Sequence, residues 1–254
     1  MHTAFGSLCL LHSARERARR SRGGTSRPAV LDLFCSAGGA GMGYWLAGFD
    51  VVGVDIEPQK RYPFRFIQAD ALRFPVPGFD LIHASPVCKS YSATAVLNDA
   101  SHPRQIEAVR DRLAGSGVPY VIENVPGAPL RSPIMLCGAM FPGLRVYRHR
   151  LFETSFPIVA PPDPEHRWPL AKMGRPVRPG EFMQPVGHFS DVTAARAAMR
   201  IPWMVRDELA QAIPPAYTLH VGWAALAALG SPKLPKRASE YGGEPAQPAR
   251  VGCR

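Results

Sequence analysis

A cysteine, a glutamate and two arginines are the side chains of this sequence best suited to covalent and acid–base chemistry. Cys88 sits in Ala84-Ser85-Pro86-Val87-Cys88-Lys89-Ser90-Tyr91-Ser92, directly after the apolar run Phe79–Ala84. A thiol on such a loop is either an exposed nucleophile or a buried, inert side chain; Lys89 beside it would favour the thiolate. Glu123 stands at the end of the run Pro119–Asn124, in Ile122-Glu123-Asn124-Val125-Pro126. A carboxyl group there is either one half of a salt bridge or an acid whose pKa burial has raised, able to donate a proton. Arg148 and Arg150 flank His149 and, in an extended segment, share one face.

A second set of residues is suited to holding a ligand rather than reacting with one. In Asp32-Leu33-Phe34-Cys35-Ser36-Ala37-Gly38-Gly39-Ala40-Gly41 an apolar run ends in a turn whose glycines let the backbone pass close to a ligand or simply turn tightly. Asp55 and Asp70 then end the next two apolar runs. A carboxylate at the first position can accept both hydroxyl protons of a ribose, and one at the second can accept an amino proton of adenine. Each alone is more often a cap or turn residue. Together, after a glycine turn, they favour an adenosine-containing cofactor, and the lack of Lys-Ser or Lys-Thr after the glycines argues against an ATP loop.

The elements that must position these groups follow from the alternation of short apolar runs with helical stretches. Strands are expected at Val30–Phe34, Phe49–Asp55, Phe64–Ala69, Phe79–Ala84 and Pro119–Asn124. Helices are expected around Tyr44–Ala47, at Arg104–Leu113, Ala194–Arg200, Arg206–Ala212 and Val221–Leu229. This order predicts an α/β fold with a doubly wound, mostly parallel sheet, whose ligands gather at the carboxyl ends of the strands. Residues 155–205, rich in proline and aromatics without clean periodicity, read as a small irregular insert. The expected organisation is a flexible basic arm at 1–27, a catalytic domain at 28–154, the insert, a return to the catalytic domain at 206–230, and a flexible tail at 231–254.

Composition narrows the class of protein. Of 254 residues, 46% are hydrophobic, enough for a sizeable core, and no apolar run approaches a bilayer-spanning length. The net charge is +10, but residues 28–230 carry only +2 of it, while 145–206 alone carry +5. A basic stretch behind a near-neutral front half suits a phosphate-facing surface, or equally a solvated one. Five cysteines without paired spacing make neither a disulfide framework nor a zinc motif, and the absence of a secretory signal points to a cytoplasmic setting.

Taken in order, these motifs resemble the DNA (cytosine-5) methyltransferase family over roughly residues 28–225. The first motif has Ser36 where the family usually has Gly. The cysteine loop keeps Ser85-Pro86, Cys88 and Ser92, with Val87 and Lys89 for the usual Pro and Gln. Glu123-Asn124-Val125 matches fully, and Arg148 and Arg150 match the two arginines of a Gln-x-Arg-x-Arg motif in which Val146 replaces Gln. Ala212-Ile213-Pro214-Pro215 resembles the closing motif, with Ala210 and Gln211 replacing its Gly and Asn.

The resemblance implies a Rossmann-like fold that uses S-adenosylmethionine (AdoMet) and a catalytic set of Cys88, Glu123, Arg148 and Arg150. The cofactor set would be Phe34, Ser36, Gly38, Gly39, Asp55, Ile56, Asp70, Ala71 and Gln211, with no metal. A cytosine flipped out of double-stranded DNA would be attacked at carbon 6 by Cys88, while Glu123 holds or protonates ring nitrogen 3 and carbon 5 takes the methyl group. Asn124 would shape the Cys88 loop, and Arg150 would bind the base oxygen or a phosphate. Residues 155–205 would be a target-recognition region, with Arg167, Lys172, Arg175, Arg178, Trp168 and Phe182 as candidate contacts and a short or weakly specified recognition sequence. The expected molecule is a monomer without membrane contact. A cognate restriction endonuclease is the partner that restriction–modification would add. The rival readings are the same chemistry on tRNA, an inactive methyltransferase-like module that only binds DNA, and, least well matched, a nicotinamide-dependent dehydrogenase.

Overall fold

The computed structural model describes residues 27–87, 105–162, 165–172 and 174–230; Cys88, Lys89, Arg104, the arm before Arg27 and the 231–254 tail lie outside the described residues. Five parallel strands form first: β1 (Ala29–Leu33), β2 (Asp50–Asp55), β3 (Arg65–Gln68), β4 (Leu81–Ala84) and β5 (Tyr120–Asn124). Two antiparallel strands, β6 (Ile134–Leu136) and β7 (Arg150–Thr154), complete a seven-stranded sheet in the order β3-β2-β1-β4-β5-β7-β6. The order reverses at β1, which pairs with both β2 and β4; in open parallel sheets ligands gather at such a reversal, outside the carboxyl ends of the strands. The expected α/β, doubly wound, mostly parallel sheet is what is found.

Side-chain alternation along the strands builds two apolar layers. Val30, Leu81 and Val121 face α1 (Gly39–Ala47) and the long α5 (Pro215–Ala228). Leu31, Leu33, Ile82, Ala84 and Ile122 face α2 (Ile106–Gly115) through Val109 and Leu113. Being covered on both faces, the strands are nearly continuous apolar runs, as parallel strands must be. Short helices α3 (Val192–Met199) and α4 (Arg206–Gln211) lead from the insert into α5.

The insert contributes to the first apolar layer rather than forming a core of its own. Phe156, Met183 and Phe189 are buried in the same cluster as Tyr44 and Phe152. Main-chain hydrogen bonds from Tyr147 to Met183 and from Met183 to Arg145 extend the pairing beyond the sheet. On the opposite face, buried Arg110 of α2 grips Glu153 of β7 with two hydrogen bonds of 2.7 and 2.8 Å, fixing the helix to the antiparallel edge.

The structure differs from the sequence-based expectation at α1, at α5 and at the antiparallel edge, where neither β6 nor β7 was expected. The helix expected around Tyr44–Ala47 begins at Gly39, five residues earlier, although glycine is a poor helix former. Tertiary crowding outweighs propensity there: a Cβ on Gly39 would collide with the Ile213 carbonyl oxygen, and one on Gly38, whose φ is +85°, would lie 2.8 Å from Pro63 Cδ. The helix expected at Val221–Leu229 begins at Pro215, a proline at the first helical turn where its missing N–H costs nothing. Strand β6 has only three residues, too few for a periodic signal.

The crowding at Gly39 makes a direct prediction. Gly39→Ala should destabilise the protein by about 1–3 kcal/mol, since the obstructing atom is backbone and cannot swing away. Gly115→Ala, at a helical position with open space around it, should be neutral or stabilising by up to about 1 kcal/mol. Urea denaturation of the two variants measures both.

Candidate active site

Three polar side chains point from adjacent strands into the otherwise apolar α1/α5 layer: Asp32 on β1, His83 on β4 and Glu123 on β5. In the ladder Asp32 pairs with His83, and His83 with Val121, two residues before Glu123. All three are buried. Nothing in strand formation calls for a carboxylate or an imidazole at these positions, so their hydrogen bonds must compensate for lost hydration.

For Glu123 the compensation comes from two sides. Arg150, first residue of β7, places its Nε 2.9 Å from Glu123 Oε1, and the Ser85 hydroxyl donates to the carboxylate. Burial pushes the Glu123 pKa up; the charges of Arg150 and Arg148 and the Ser85 hydrogen bond pull against it, and burial wins. A carboxylate only accepts, so the Ser85 hydroxyl hydrogen is committed to it, and Ser85 Oγ receives the Nε2–H of His83 at 2.9 Å. That leaves His83 Nδ1 to accept from the Tyr44 hydroxyl of α1, also at 2.9 Å. Burial pushes the His83 pKa down to about 3, so the ring is neutral, as this order of donors requires. A one-way chain thus runs Tyr44–His83–Ser85–Glu123 and ends at Arg150.

The loop that carries Cys88 is fixed at its start. Asn124 Nδ2 donates to the Pro86 carbonyl at 2.9 Å, and the Ser85 amide donates to the Leu33 carbonyl at 3.2 Å. The two described cysteines, Cys35 and Cys137, are both buried. Burial, with Asp32 and Asp55 nearby, pushes the Cys35 thiol far above the range in which it could react.

The residues expected to hold a ligand lie along the carboxyl ends of β1, β2 and β3. The turn after β1 is strained, with Phe34 at φ +57° and Ser36 at φ +44°, a left-handed conformation that non-glycine residues adopt at some cost. Asp55, at the end of β2, accepts from the Ser36 amide at 2.9 Å and the Glu57 amide at 3.0 Å, so its carboxylate is held in place yet stays partly exposed. Beside it Ile56 is 64% exposed. Asp70 follows β3, accepts from the Leu72 amide at 2.9 Å and lies 3.5 Å from Arg73. Ala71 is buried in the second apolar layer, and Gln211 is exposed at the end of α4. The glycines of the turn are also closely packed by protein: a Cβ on Gly39 would meet Ile213, and one on Gly41 would meet Tyr62 and Asp32.

The two arginines part company. Arg150 reaches Glu123, whereas the Arg148 guanidinium is buried and donates to the carbonyls of Pro185 at 2.9 Å and Ala210 at 2.6 Å, tying the insert to the α4 end. In the insert, Arg175 is bound to Glu181 and Arg167 lies 2.6 Å from Glu165, while Lys172 and Arg178 are exposed. Trp168 is largely exposed, but Phe182 is buried, stacked between Trp168 and Tyr147.

Sequence reasoning missed Asp32, His83, Tyr44, Trp203 and Thr218 as site residues. The signal for the first two was a lone polar residue in each apolar strand, Ala-Val-Leu-Asp-Leu and Leu-Ile-His-Ala. Trp203 Nε1 donates to the Ala37 carbonyl at 2.8 Å, and Thr218 Oγ1 to that of Ala40 at 2.8 Å. Both hold the glycine turn from the far end of the chain, and no local pattern marks them.

No protein-family model and no curated protein matches this sequence. Solved structures do. The Dnmt2 methyltransferase of S. pombe superposes with a TM-score of 0.50 at 13% identity, over 80% of this chain and 99% of that one. The methyltransferase EhMeth of Entamoeba histolytica gives 0.49 at 12%, over 81% and 99%. A prophage-encoded protein of E. coli, named for DNA modification methyltransferase activity, gives 0.39 at 20%, over 49% of this chain and 45% of that one. The chain has the Rossmann-like methyltransferase fold.

Asp32 offers a test of the site's electrostatics. Its Oδ2 accepts from the Tyr62 hydroxyl at 3.0 Å, its Oδ1 is buried without a hydrogen bond among the described residues, and burial pushes its pKa up to about 8. The folded state therefore binds a proton that the unfolded chain, with a pKa near 3.8, releases, and stability from this group falls as pH rises from about 4 to about 8. Asp32→Asn removes that slope. Its stability relative to wild type should climb between pH 5 and pH 8, by at most about 1.4 kcal/mol per unit, as read by denaturant midpoints across pH. In the same chain, Ser85→Ala should raise the Glu123 pKa further, measured by carboxyl carbon NMR titration.

Proposed function

We propose that this protein is an AdoMet-dependent methyltransferase acting on carbon 5 of cytosine in double-stranded DNA, with Cys88 as nucleophile. The observation that carries the reading is Glu123: a buried acid with a raised pKa, fixed by Arg150 and Ser85, at the strand-end crevice from which the Cys88 loop departs. The fold likeness to the S. pombe enzyme supports methyl transfer in general, and the motif order supports the cytosine substrate.

The residues at the crevice fit the cofactor. Asp55 is held by two amides with acceptor capacity left for ribose hydroxyls, Asp70 can accept from adenine, and exposed Ile56 and partly buried Phe34 offer apolar faces to the ring. Ser36, Gly38 and Gly39 form the turn beneath it, with Ala71 and Gln211 at its margins. AdoMet bound there supplies an electrophilic methyl group. The chain's own residues make the target base receptive. The Cys88 thiolate adds to carbon 6 of an extruded cytosine, and Glu123 delivers its proton to ring nitrogen 3, so that charge does not build up on the ring and carbon 5 becomes nucleophilic. Arg150 orients the Glu123 carboxyl group and can reach the base oxygen, while buried Arg148 holds the framework behind it. Among the candidate contacts of the insert, Arg167, Lys172, Arg178 and Trp168 are exposed and have surface to offer DNA.

Incubating the protein with AdoMet and duplex DNA containing 5-fluorocytosine should trap a stable covalent adduct, because fluorine blocks the final proton loss. Cys88→Ala should form none, and Glu123→Gln should slow methyl transfer to unmodified duplex by about 100- to 10,000-fold. An adduct that persists in Cys88→Ala overturns the nucleophile assignment, and transfer to tRNA in preference to duplex overturns the substrate.

A further inference from the structure

The residue between the two arginines opens onto a different site. In the β6–β7 ladder Leu136 pairs with Arg150, so the next residues outward, Cys137 and His149, stand opposite each other just past the strand ends. His149 projects to the face opposite Arg150, away from Glu123. A third side chain arrives from the insert: His166, whose Nε2 lies 3.4 Å from Cys137 Sγ. One ligand atom from each of Cys137, His149 and His166 falls within 4.8 Å of the other two.

A thiol–imidazole contact joins Cys137 and His166, and His149 brings a second imidazole to the same point, so that one sulfur and two nitrogens converge as the ligands of a tetrahedral zinc ion do. With Zn–S near 2.3 Å and Zn–N near 2.1 Å, adjacent sulfur and nitrogen ligands stand about 3.6 Å apart, close to the 3.4 Å between Cys137 Sγ and His166 Nε2. The ligands are also held in place. The His166 ring stacks on Tyr147 at 4.1 Å and lies 5.0 Å from the His149 ring. The Tyr147 hydroxyl both donates to the Trp168 carbonyl, at 2.9 Å, and accepts from the Trp168 amide, at 2.8 Å, clamping the segment that presents His166. Cys137 is fully buried and His166 is exposed, so an ion could enter from solvent and meet a thiolate in a sheltered position.

We propose that Cys137, His149 and His166 bind one zinc ion, with the fourth position left to water or an external ligand. One soft thiolate and two imidazoles select zinc over the hard cations calcium and magnesium. The ion would join residues 165–172 of the insert to the hairpin that carries Arg150, whose Nη1 donates to the His149 carbonyl at 2.9 Å. The sequence shows no zinc motif because the three ligands come from three separate segments, twelve and seventeen residues apart.

The test uses the full-length protein, stripped with a chelator and then titrated with zinc against a chromophoric competitor, or with cobalt as a spectroscopic substitute. One equivalent of zinc should bind and raise the melting temperature. Cobalt should give a thiolate charge-transfer band together with the red absorption of a tetrahedral site. His166→Ala, a change at an exposed position, should weaken zinc binding by about 100-fold or more. Cys137→Ser should lose the charge-transfer band, and His188→Ala, an exposed histidine outside the cluster, should change neither. Failure of the stripped protein to bind zinc stoichiometrically, or binding unaltered in His166→Ala, overturns the proposal; should Cys137→Ser not fold, His166→Ala decides alone. These readouts require neither DNA nor AdoMet, so their failure leaves the methyl-transfer reading untouched, and the reverse holds too.

Discussion

A carboxyl group buried at the end of a central strand is the demand around which this molecule is organised. Left alone, Glu123 would cost several kcal/mol in lost hydration and would simply take up a proton and become inert. The Arg150 charge and the Ser85 hydrogen bond pull its pKa back toward the usual carboxylate range, and burial still leaves it raised. Meeting that demand fixes much else. Arg150 can arrive only because β7 runs antiparallel beside β5, and Ser85 stays committed to the carboxylate only because neutral His83, and behind it Tyr44 of α1, supply the next donors in line.

The antiparallel edge therefore positions polar side chains as much as it extends the sheet. It brings Arg150 to Glu123 on one face and sets His149 against Cys137 on the other. Arg148, on the same side as Arg150, is spent on the Pro185 and Ala210 carbonyls and so anchors the insert and the approach to α5. Three consecutive residues thus serve three separate contacts.

Much of this was legible in the sequence, and for physical reasons. Parallel strands buried on both faces read as apolar runs, so β1, β2, β4 and β5 were placed within a residue or two, and so were the polar residues at their ends. Glu123, Arg150, Asp55 and Asp70 were marked by type and position alone. The rest depends on contacts distant in the chain. The close packing of Gly39 on Ile213 could not be read locally, because that neighbour lies 174 residues away. Phe182, read as a possible groove contact, turned out to fill a stack with Tyr147 and Trp168. Arg148 is tied to the carbonyls of Pro185 and Ala210, 37 and 62 residues away. His166 carried no pattern at all, since a residue in an irregular loop has no periodicity to betray its direction.

The embrace of α1 by α5 has a bearing on how the chain comes to be folded. The first helix after β1 has its close neighbours at Trp203, Ile213 and Thr218, supplied only when nearly all of the described residues have been synthesised. Until then the glycine turn has nothing to brace it, and the apolar faces of β1 and β4 that α5 will cover stay open. Such long-range closure makes for slow assembly and an intermediate with sticky surface. A nascent chain stalled before Pro215 is thus the form most dependent on chaperones, and the strand-end crevice is among the last features to take shape.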